Sequence, residues 1–178
     1  MEHGVERTAL ADVVKRAGGS LATLYKLFDG KAGLLEAVMR ARLEQSGARM
    51  VELAATAPSP SEVLFRLAAD LRHRSLDPSE VALSRVLIAS SIGNADFAGR
   101  FYGATVLEAR AQLERLFARW RDEGYPLTAE PALLSAIFLG MFIYEVHSQA
   151  IGHGSISEGD DASLDRKVNF FCQAAGIS

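Results

Sequence analysis

Hydrophobic residues recur along this chain at the three- and four-residue spacing of a single helix face. Val, Ile and Thr never alternate with polar residues over a useful length, so the sequence does not predict strands. The pattern predicts an all-α fold, with helices near residues 8–17, 21–28, 31–55, 60–75, 79–91, 95–123, 129–151 and 162–175.

Local capping signals support these helix boundaries. Ser59 and Asp77 each stand before a proline and three residues before a glutamate, as in a capping box. Further caps are expected at Asn94 and Thr128, and helix stops at Gly18, Gly124 and Gly152. The segment TAPSPS, residues 56–61, is the natural joint between a small N-terminal unit and a larger C-terminal one.

Composition narrows the class of protein. The chain has 178 residues, of which 49% are hydrophobic, enough for a sizeable core. The run ALLSAIFLGMFIY, residues 132–144, is shorter than the roughly 18 residues that a membrane span needs, and predicts a buried helix.

A single cysteine fits a reducing cytoplasm. The histidines and Cys172 lack metal-site spacing, and neither a phosphate loop nor a nucleophile elbow occurs, so we expect no metal, cofactor or catalytic residue.

Net charge is −3, which argues against non-specific binding to a polyanion. Residues 1–45 nevertheless hold seven basic and six acidic side chains, whereas the remainder is acidic. A nucleic acid would therefore bind at the N-terminal end, through a few placed contacts.

Two short helices at that end are joined by a glycine-containing turn. Gly18 and Gly19 make the turn, and Ser20 is the expected N-cap of the second helix, which would bury Leu21, Leu24 and Phe28. Its outward residues would be Ala22, Thr23 and Lys26, with Tyr25 at the edge. This spacing is typical of a helix-turn-helix, whose second helix enters the DNA major groove, but it also fits a helical hairpin with a solvated polar side.

The segment TALADVVKRAGGSLATLYKLFDGKAGLLEAVM, Thr8 to Met39, resembles the DNA-binding region of the TetR/AcrR family of bacterial transcriptional regulators. The resemblance rests on the Ala17-Gly18 turn, the Thr23-Leu24-Tyr25 triplet, Phe28 and Leu34-Leu35, and covers about a fifth of the chain. It implies a DNA-binding unit over residues 1–45 and a ligand-binding and dimerisation unit over residues 46–178. The DNA contacts it implies are Thr8, Ser20, Ala22, Thr23, Tyr25, Lys26 and Lys31.

The sequence departs from the family pattern at three places. Gly19 stands where an apolar residue is usual, and Gly30 where a capping Ser or Thr is usual. Only MEHGVER precedes Thr8, which is too short for the family's first helix. We therefore expect DNA binding by this chain to be weak or absent, compared with a chain extended upstream.

The last two predicted helices carry more apolar surface than one internal face needs. Helix 129–151 is apolar nearly all round, and helix 162–175 has one stripe of Leu164, Val168, Phe171 and Ala175 and a second with Asn169, Phe170 and Ala174. The resemblance implies that these helices form a homodimer interface, although a monomer with a thick core also fits. The interface residues expected are Phe138, Phe142, Glu145, Leu164, Val168 and Phe171.

By the same resemblance, the middle helices enclose a pocket for a small effector. The apolar residues of these helices predict that the effector is apolar. The candidate lining residues are Phe65, His73, Arg85, Leu87, Phe101, Phe117, Trp120, Phe138 and His147, any of which could instead fill the core. The resulting hypothesis is a repressor that binds a palindromic double-stranded DNA operator as a homodimer and is released by the effector. The alternative is a dimeric small-molecule-binding protein that descends from such regulators and no longer binds DNA.

Overall fold

The computed structural model describes residues 10–152 and 161–177, and within them every regular element is helical. The all-α prediction is confirmed. The α-helices are α1 (Leu10–Ala17), α2 (Leu21–Phe28), α3 (Lys31–Thr56), α4 (Pro60–Leu76), α5 (Pro78–Gly93), α6 (Ala95–Tyr102), α7 (Glu108–Asp122), α8 (Pro131–Ile151) and α9 (Asp161–Ala175). A π-helical turn, Gly103–Leu107, joins α6 to α7.

Side chains cap four of these helices where the sequence predicts caps. The Ser59 hydroxyl accepts a hydrogen bond from the Glu62 N–H at 3.3 Å, and the Asn94 side chain accepts one from Phe97 at 2.9 Å. Ser20 and Asp77 cap α2 and α5 in the same way. Hydrogen bonds from the Ser79 hydroxyl and from the backbone N–H groups of Glu80 and Ser79 hold the pKa of Asp77 below its usual value.

Two capping details differ from the sequence prediction. The Glu62 carboxylate accepts a hydrogen bond from Arg66 Nε at 2.7 Å, which is one helical turn forward rather than back toward Ser59. Thr128 was expected to cap a helix starting at 129, but α8 starts at Pro131 after Glu130. The Thr128 hydroxyl instead donates to the Ala174 carbonyl oxygen at 2.5 Å, which ties the α7–α8 loop to the end of α9.

The main core lies where α8 packs against α4, α7 and α9. The Phe138 ring on α8 lies 5.2 Å from the Phe171 ring on α9, and the Phe117 ring meets Trp120 edge-on at 5.4 Å. Burying a side chain of this size contributes roughly 1.5–3 kcal/mol to folding stability. The core therefore fixes α8 and α9 to the helices that precede them.

The chain between α6 and α7 departs from the predicted single helix over 95–123. Residues Gly103–Leu107 widen into a π turn, and the Thr105 hydroxyl donates to the Phe101 carbonyl oxygen at 2.6 Å. Such turns often occur at functional sites because they shift the register of the side chains that follow. Here the turn lies beside a cavity.

Among the described residues, only α8 is long and apolar enough to cross a membrane by length and composition. Its residues Leu134, Phe138 and Phe142 are buried inside the chain. The core helix of a soluble protein passes the same test, so the helix gives only weak evidence of membrane insertion.

Candidate functional site

The turn between α1 and α2 holds the two helices in a defined arrangement. Gly18 has a φ of +72°, in the left-handed region that favours glycine, and the Gly19 N–H donates to the Val14 carbonyl oxygen at 3.1 Å. Ser20 then starts α2, since its hydroxyl accepts a hydrogen bond from the Thr23 N–H at 3.1 Å. Leu24 is buried and anchors α2.

The outward side of α2 carries the residues expected there. Ala22, Thr23, Tyr25 and Lys26 are all exposed. The Thr23 hydroxyl lies 2.8 Å from the Ser20 hydroxyl, so the capping bonds orient Thr23. A short helix that presents a small residue, two hydroxyls and one ammonium group has the chemistry to contact phosphates and base edges.

The predicted DNA contact Lys31 lies on another helix, α3. Lys31 is half-buried at the first position of α3, after Gly30, which makes no side-chain cap. The N–H groups of a first helical turn favour a phosphate at this position. Thr8 lies outside the described residues.

The apolar side of α2 is less covered than the sequence predicts. Phe28 is half-buried, but Leu21 is 42% exposed and Leu27 is 66% exposed. Leu21 was expected to be buried with Leu24 and Phe28. Among the described helices, α1 and α3 contact α2, and they cover Leu24 rather than Leu21.

A cavity of about 480 Å³ lies in the helical body between α3, α4, α7 and α8. Apolar side chains form most of its wall: Met39, Leu43, Met50, Leu67, Leu71, Phe101, Val106, Leu113, Phe138, Leu139 and Ile143. Polar side chains complete it: Arg42, Gln45, Ser46, Arg49, Asp70, Arg74, Glu80, Thr105 and Gln112. Its volume lies in the range that holds a drug-sized molecule.

The structure brings two of the nine candidate lining residues, Phe101 and Phe138, to this cavity. Phe117 and Trp120 lie in the packed core, with Phe65 beside them, and Leu87 is buried in α5. His73 and His147 are exposed. Arg85 donates to the carbonyl oxygens of Ala150 and Gln149, at 2.7 and 3.2 Å, and so satisfies the end of α8.

Sequence reasoning missed the charged part of the cavity wall. Asp70 accepts from Arg74 Nη2 at 2.6 Å and faces Arg49 Nη1 at 3.2 Å, while Arg42 pairs with Glu80. These pairs join α3 to α4 and to α5. The spacing of these polar residues could have revealed them. On α3 they share a helix face with Met39, Leu43 and Met50, and on α4 they share one with Leu67 and Leu71.

The six residues expected at a subunit interface are all buried within the single chain: Phe138, Phe142, Glu145, Leu164, Val168 and Phe171. Glu145 accepts a hydrogen bond from Lys167 at 2.5 Å, which links α8 to α9 internally. These side chains pack inside the chain, so they are not exposed on its surface to a second subunit. The first stripe of α9 is thus the inner one.

The outer face of the same two helices is apolar. On α8 the exposed residues Leu133, Ile137, Gly140, Tyr144 and His147 follow one another at three- and four-residue spacing. On α9, Phe170 is 73% exposed and belongs to the second stripe. We call these six residues the outer face.

The described residues bear on two kinds of chemistry, metal binding and reaction through a thiol. They contain no cluster of three or more His, Cys, Asp or Glu side chains that could hold a metal ion. Cys172 is buried, and this burial raises the pKa of its thiol to about 11. A thiol of that pKa is a poor nucleophile at neutral pH.

Comparison with known proteins identifies the N-terminal region. The family model described as "Bacterial regulatory proteins, tetR family" matches residues 1–38. No curated protein matches the chain significantly by sequence.

Solved structures share the fold of the whole chain. A proposed TetR-family transcriptional regulator from Mesorhizobium loti MAFF303099 has a TM-score of 0.77 at 20% identity, over 97% of this chain and 88% of its own. A proposed transcriptional regulator from Rhodococcus sp. RHA1 has a TM-score of 0.68 at 16% identity, over 97% and 86%. The flavonoid-responsive regulator FrrA has a TM-score of 0.64 at 23% identity, over 97% and 89%.

Proposed function

We propose that this chain is a ligand-responsive transcriptional repressor of the tetR family of bacterial regulatory proteins, because that family's model matches residues 1–38 and its solved relatives share the fold. The observation that carries the proposal is the exposed face of α2, with Ala22, Thr23, Tyr25 and Lys26 held outward by the Ser20 cap. Such a face has one well-attested use, which is contact with the DNA major groove.

The proposed effector site is the cavity of the helical body. It is enclosed by mostly apolar side chains with a few polar groups, as small-molecule sites usually are. The flavonoid-responsive regulator FrrA, which has a similar fold, is consistent with a small-molecule effector for this chain.

Helix α3 connects the two proposed sites. It begins at Lys31, directly after α2, and the same helix lines the cavity from Met39 to Met50. The proposed division into a DNA-binding unit, 1–45, and a ligand-binding unit, 46–178, therefore falls inside one continuous helix. A shift of α3 on effector binding would therefore also move the DNA-binding end of the chain.

The proposed repressor acts as a homodimer through the outer face of α8 and α9. Exposed apolar residues at helical spacing cost free energy in water and favour a partner. A second copy of this chain would place two α2 helices on two half-sites of a palindromic operator, about 34 Å apart or a multiple of that. An effector that binds better when this spacing is wrong would release the operator.

Selection from a random library of DNA duplexes tests this function. The purified chain should enrich a palindromic site, and the substitution Lys26→Ala should reduce binding to it. Small molecules that bind the cavity should then lower operator affinity. Failure to enrich any DNA, together with retained ligand binding, would favour the alternative of a dimeric ligand-binding protein that no longer reads DNA.

A further inference from the structure

The charged part of the cavity wall carries more positive than negative charge. Three arginines, Arg42, Arg49 and Arg74, face two carboxylates, Asp70 and Glu80. Arg42 and Glu80 pair with each other. The remaining carboxylate, Asp70, forms ion pairs with two guanidinium groups, and its side chain is only 14% exposed.

The geometry around Asp70 leaves one arginine incompletely bonded. Asp70 Oδ2 accepts from Arg74 Nη2, but its Oδ1 faces Arg49 instead of the Nε of Arg74. The Ser46 hydroxyl accepts from Arg74 Nη1 at 2.5 Å. Arg74 Nε is buried and has no hydrogen-bond partner. A buried donor without an acceptor is costly, and a second carboxylate would supply the missing acceptor.

The rest of the cavity wall is mostly apolar and suits an apolar ligand body. Leu67 and Leu71 lie on the same helix as Asp70 and Arg74, and Phe101, Val106, Phe138 and Ile143 complete the apolar side. A molecule that fills this space needs an apolar body and one anionic end.

From these contacts, and resting on the proposed function, we infer that the effector is an apolar molecule bearing one carboxylate, which binds Arg74 and Arg49 in competition with Asp70. The ligand carboxylate takes the place of Asp70 on at least one guanidinium. Since Arg49 belongs to α3 while Asp70 and Arg74 belong to α4, this exchange replaces the direct Arg49–Asp70 link between the two helices with a contact through the ligand. The same event that binds the acid thereby changes how α3 is held against α4.

Matched pairs of acids and neutral amides test the inference on the full chain. Octanoate against octanamide represents an aliphatic body, and 2-naphthoate against 2-naphthamide an aromatic one. Isothermal titration at neutral pH should show at least one acid binding about tenfold or more tightly than its amide. The pair that shows the larger ratio identifies the kind of body that the cavity takes.

Two substitutions should change acid affinity in opposite directions. Arg74→Met should abolish the preference for the acid and leave amide binding within about twofold, because it removes the charge and keeps the stem. Asp70→Asn should strengthen acid binding several-fold, because it removes the competing carboxylate. Arg66→Met is the control, since Arg66 lies on α4 but pairs with Glu62 at 2.7 Å and does not line the cavity.

The readouts separate this inference from the proposed function. Equal affinity for acid and amide, no binding by any of the four, or the same loss in Arg66→Met as in Arg74→Met would overturn the carboxylate assignment. Arg74→Lys guards against misfolding, because it keeps the charge and should retain part of the preference. If the acids bind as expected but leave the affinity for a selected operator unchanged, the inference stands and the repressor function fails.

Discussion

The backbone of Gly33 lies so close to the carbonyl oxygen of Phe28 that a Cβ atom at residue 33 would stand 1.7 Å from that oxygen. Phe28 is the last residue of α2, and Gly33 lies in the first turn of α3. No side chain fits between them, so this contact fixes how the proposed reading helix meets the helix that leads to the cavity. The turn between them also holds Asp29 at a φ of +53° and Gly30 at +99°.

The substitution Gly33→Ala should therefore damage DNA binding. The added methyl group forces α2 and α3 apart, which costs about 1–3 kcal/mol by overpacking. We expect operator affinity to fall about tenfold or more, measured by gel shift on a selected duplex.

Gly19→Ala is the matched control for that substitution. A Cβ at Gly19 meets nothing within 4 Å, and the residue is outside the left-handed region, so operator affinity should change little. Equal losses in the two variants would show that the close approach at Gly33 is not what positions α2.

Lys26 on the exposed side of α2 should contribute to binding through its charge. If it neutralises one phosphate, Lys26→Ala should weaken binding to all duplexes and reduce the slope of log affinity against log salt by about one. Arg119→Ala makes the same change in net charge on α7, where Arg119 is exposed in the helical body. An unchanged salt slope in Lys26→Ala would remove Lys26 from the phosphate contacts.

The sequence predicts where the helices begin and end, but it predicts poorly which side of each helix is buried. The first depends on local bonds and the second on packing. Caps such as Ser20, Ser59, Asp77 and Asn94 act through bonds two or three residues away, so local sequence determines them. Helix α8 is apolar nearly all round, and its pattern cannot tell which side meets the core. Only the packed structure turns Phe138 inward and Tyr144 outward.

The cavity shows the same limit. A void and a filled core use the same apolar residues, so Phe117 and Phe138 look alike in sequence although only Phe138 reaches the cavity. The ion pair between Arg49 and Asp70 depends on how α3 packs against α4, which no local pattern specifies, whereas Asp70 and Arg74 pair at four-residue spacing within α4. The π turn at Gly103–Leu107 is another such case, since nothing in the helical periodicity predicts the extra residue.

Charging the outer face should dissociate the proposed dimer. Ile137 and Phe170 are both exposed and apolar, so Ile137→Asp or Phe170→Asp would bury a carboxylate between two subunits and should give monomers in light scattering. Ile92→Asp is the control, because Ile92 is exposed near the end of α5 and is not one of the residues of the outer face. A chain that is already monomeric, or one that stays dimeric after both outer-face substitutions, would contradict this interface.

The ion pair between Arg100 and Glu36 should carry part of the signal from the cavity to the DNA-binding end. Arg100 Nε donates to Glu36 Oε1 at 2.9 Å, which joins α6 to α3, and the next residue along α6, Phe101, lines the cavity. We expect Arg100→Gln to leave operator affinity of the ligand-free chain nearly unchanged and to reduce the effect of a bound ligand on that affinity. Because the pair is partly exposed, its contribution is about 1 kcal/mol at most, so the ratio of operator affinities without and with ligand should fall no more than about fivefold. Arg115→Gln is the matched control, since Arg115 forms a comparable exposed pair with Glu108 at 2.8 Å and both residues belong to α7. If the ligand changes operator affinity equally in both variants, the Arg100–Glu36 pair does not carry the signal from the cavity.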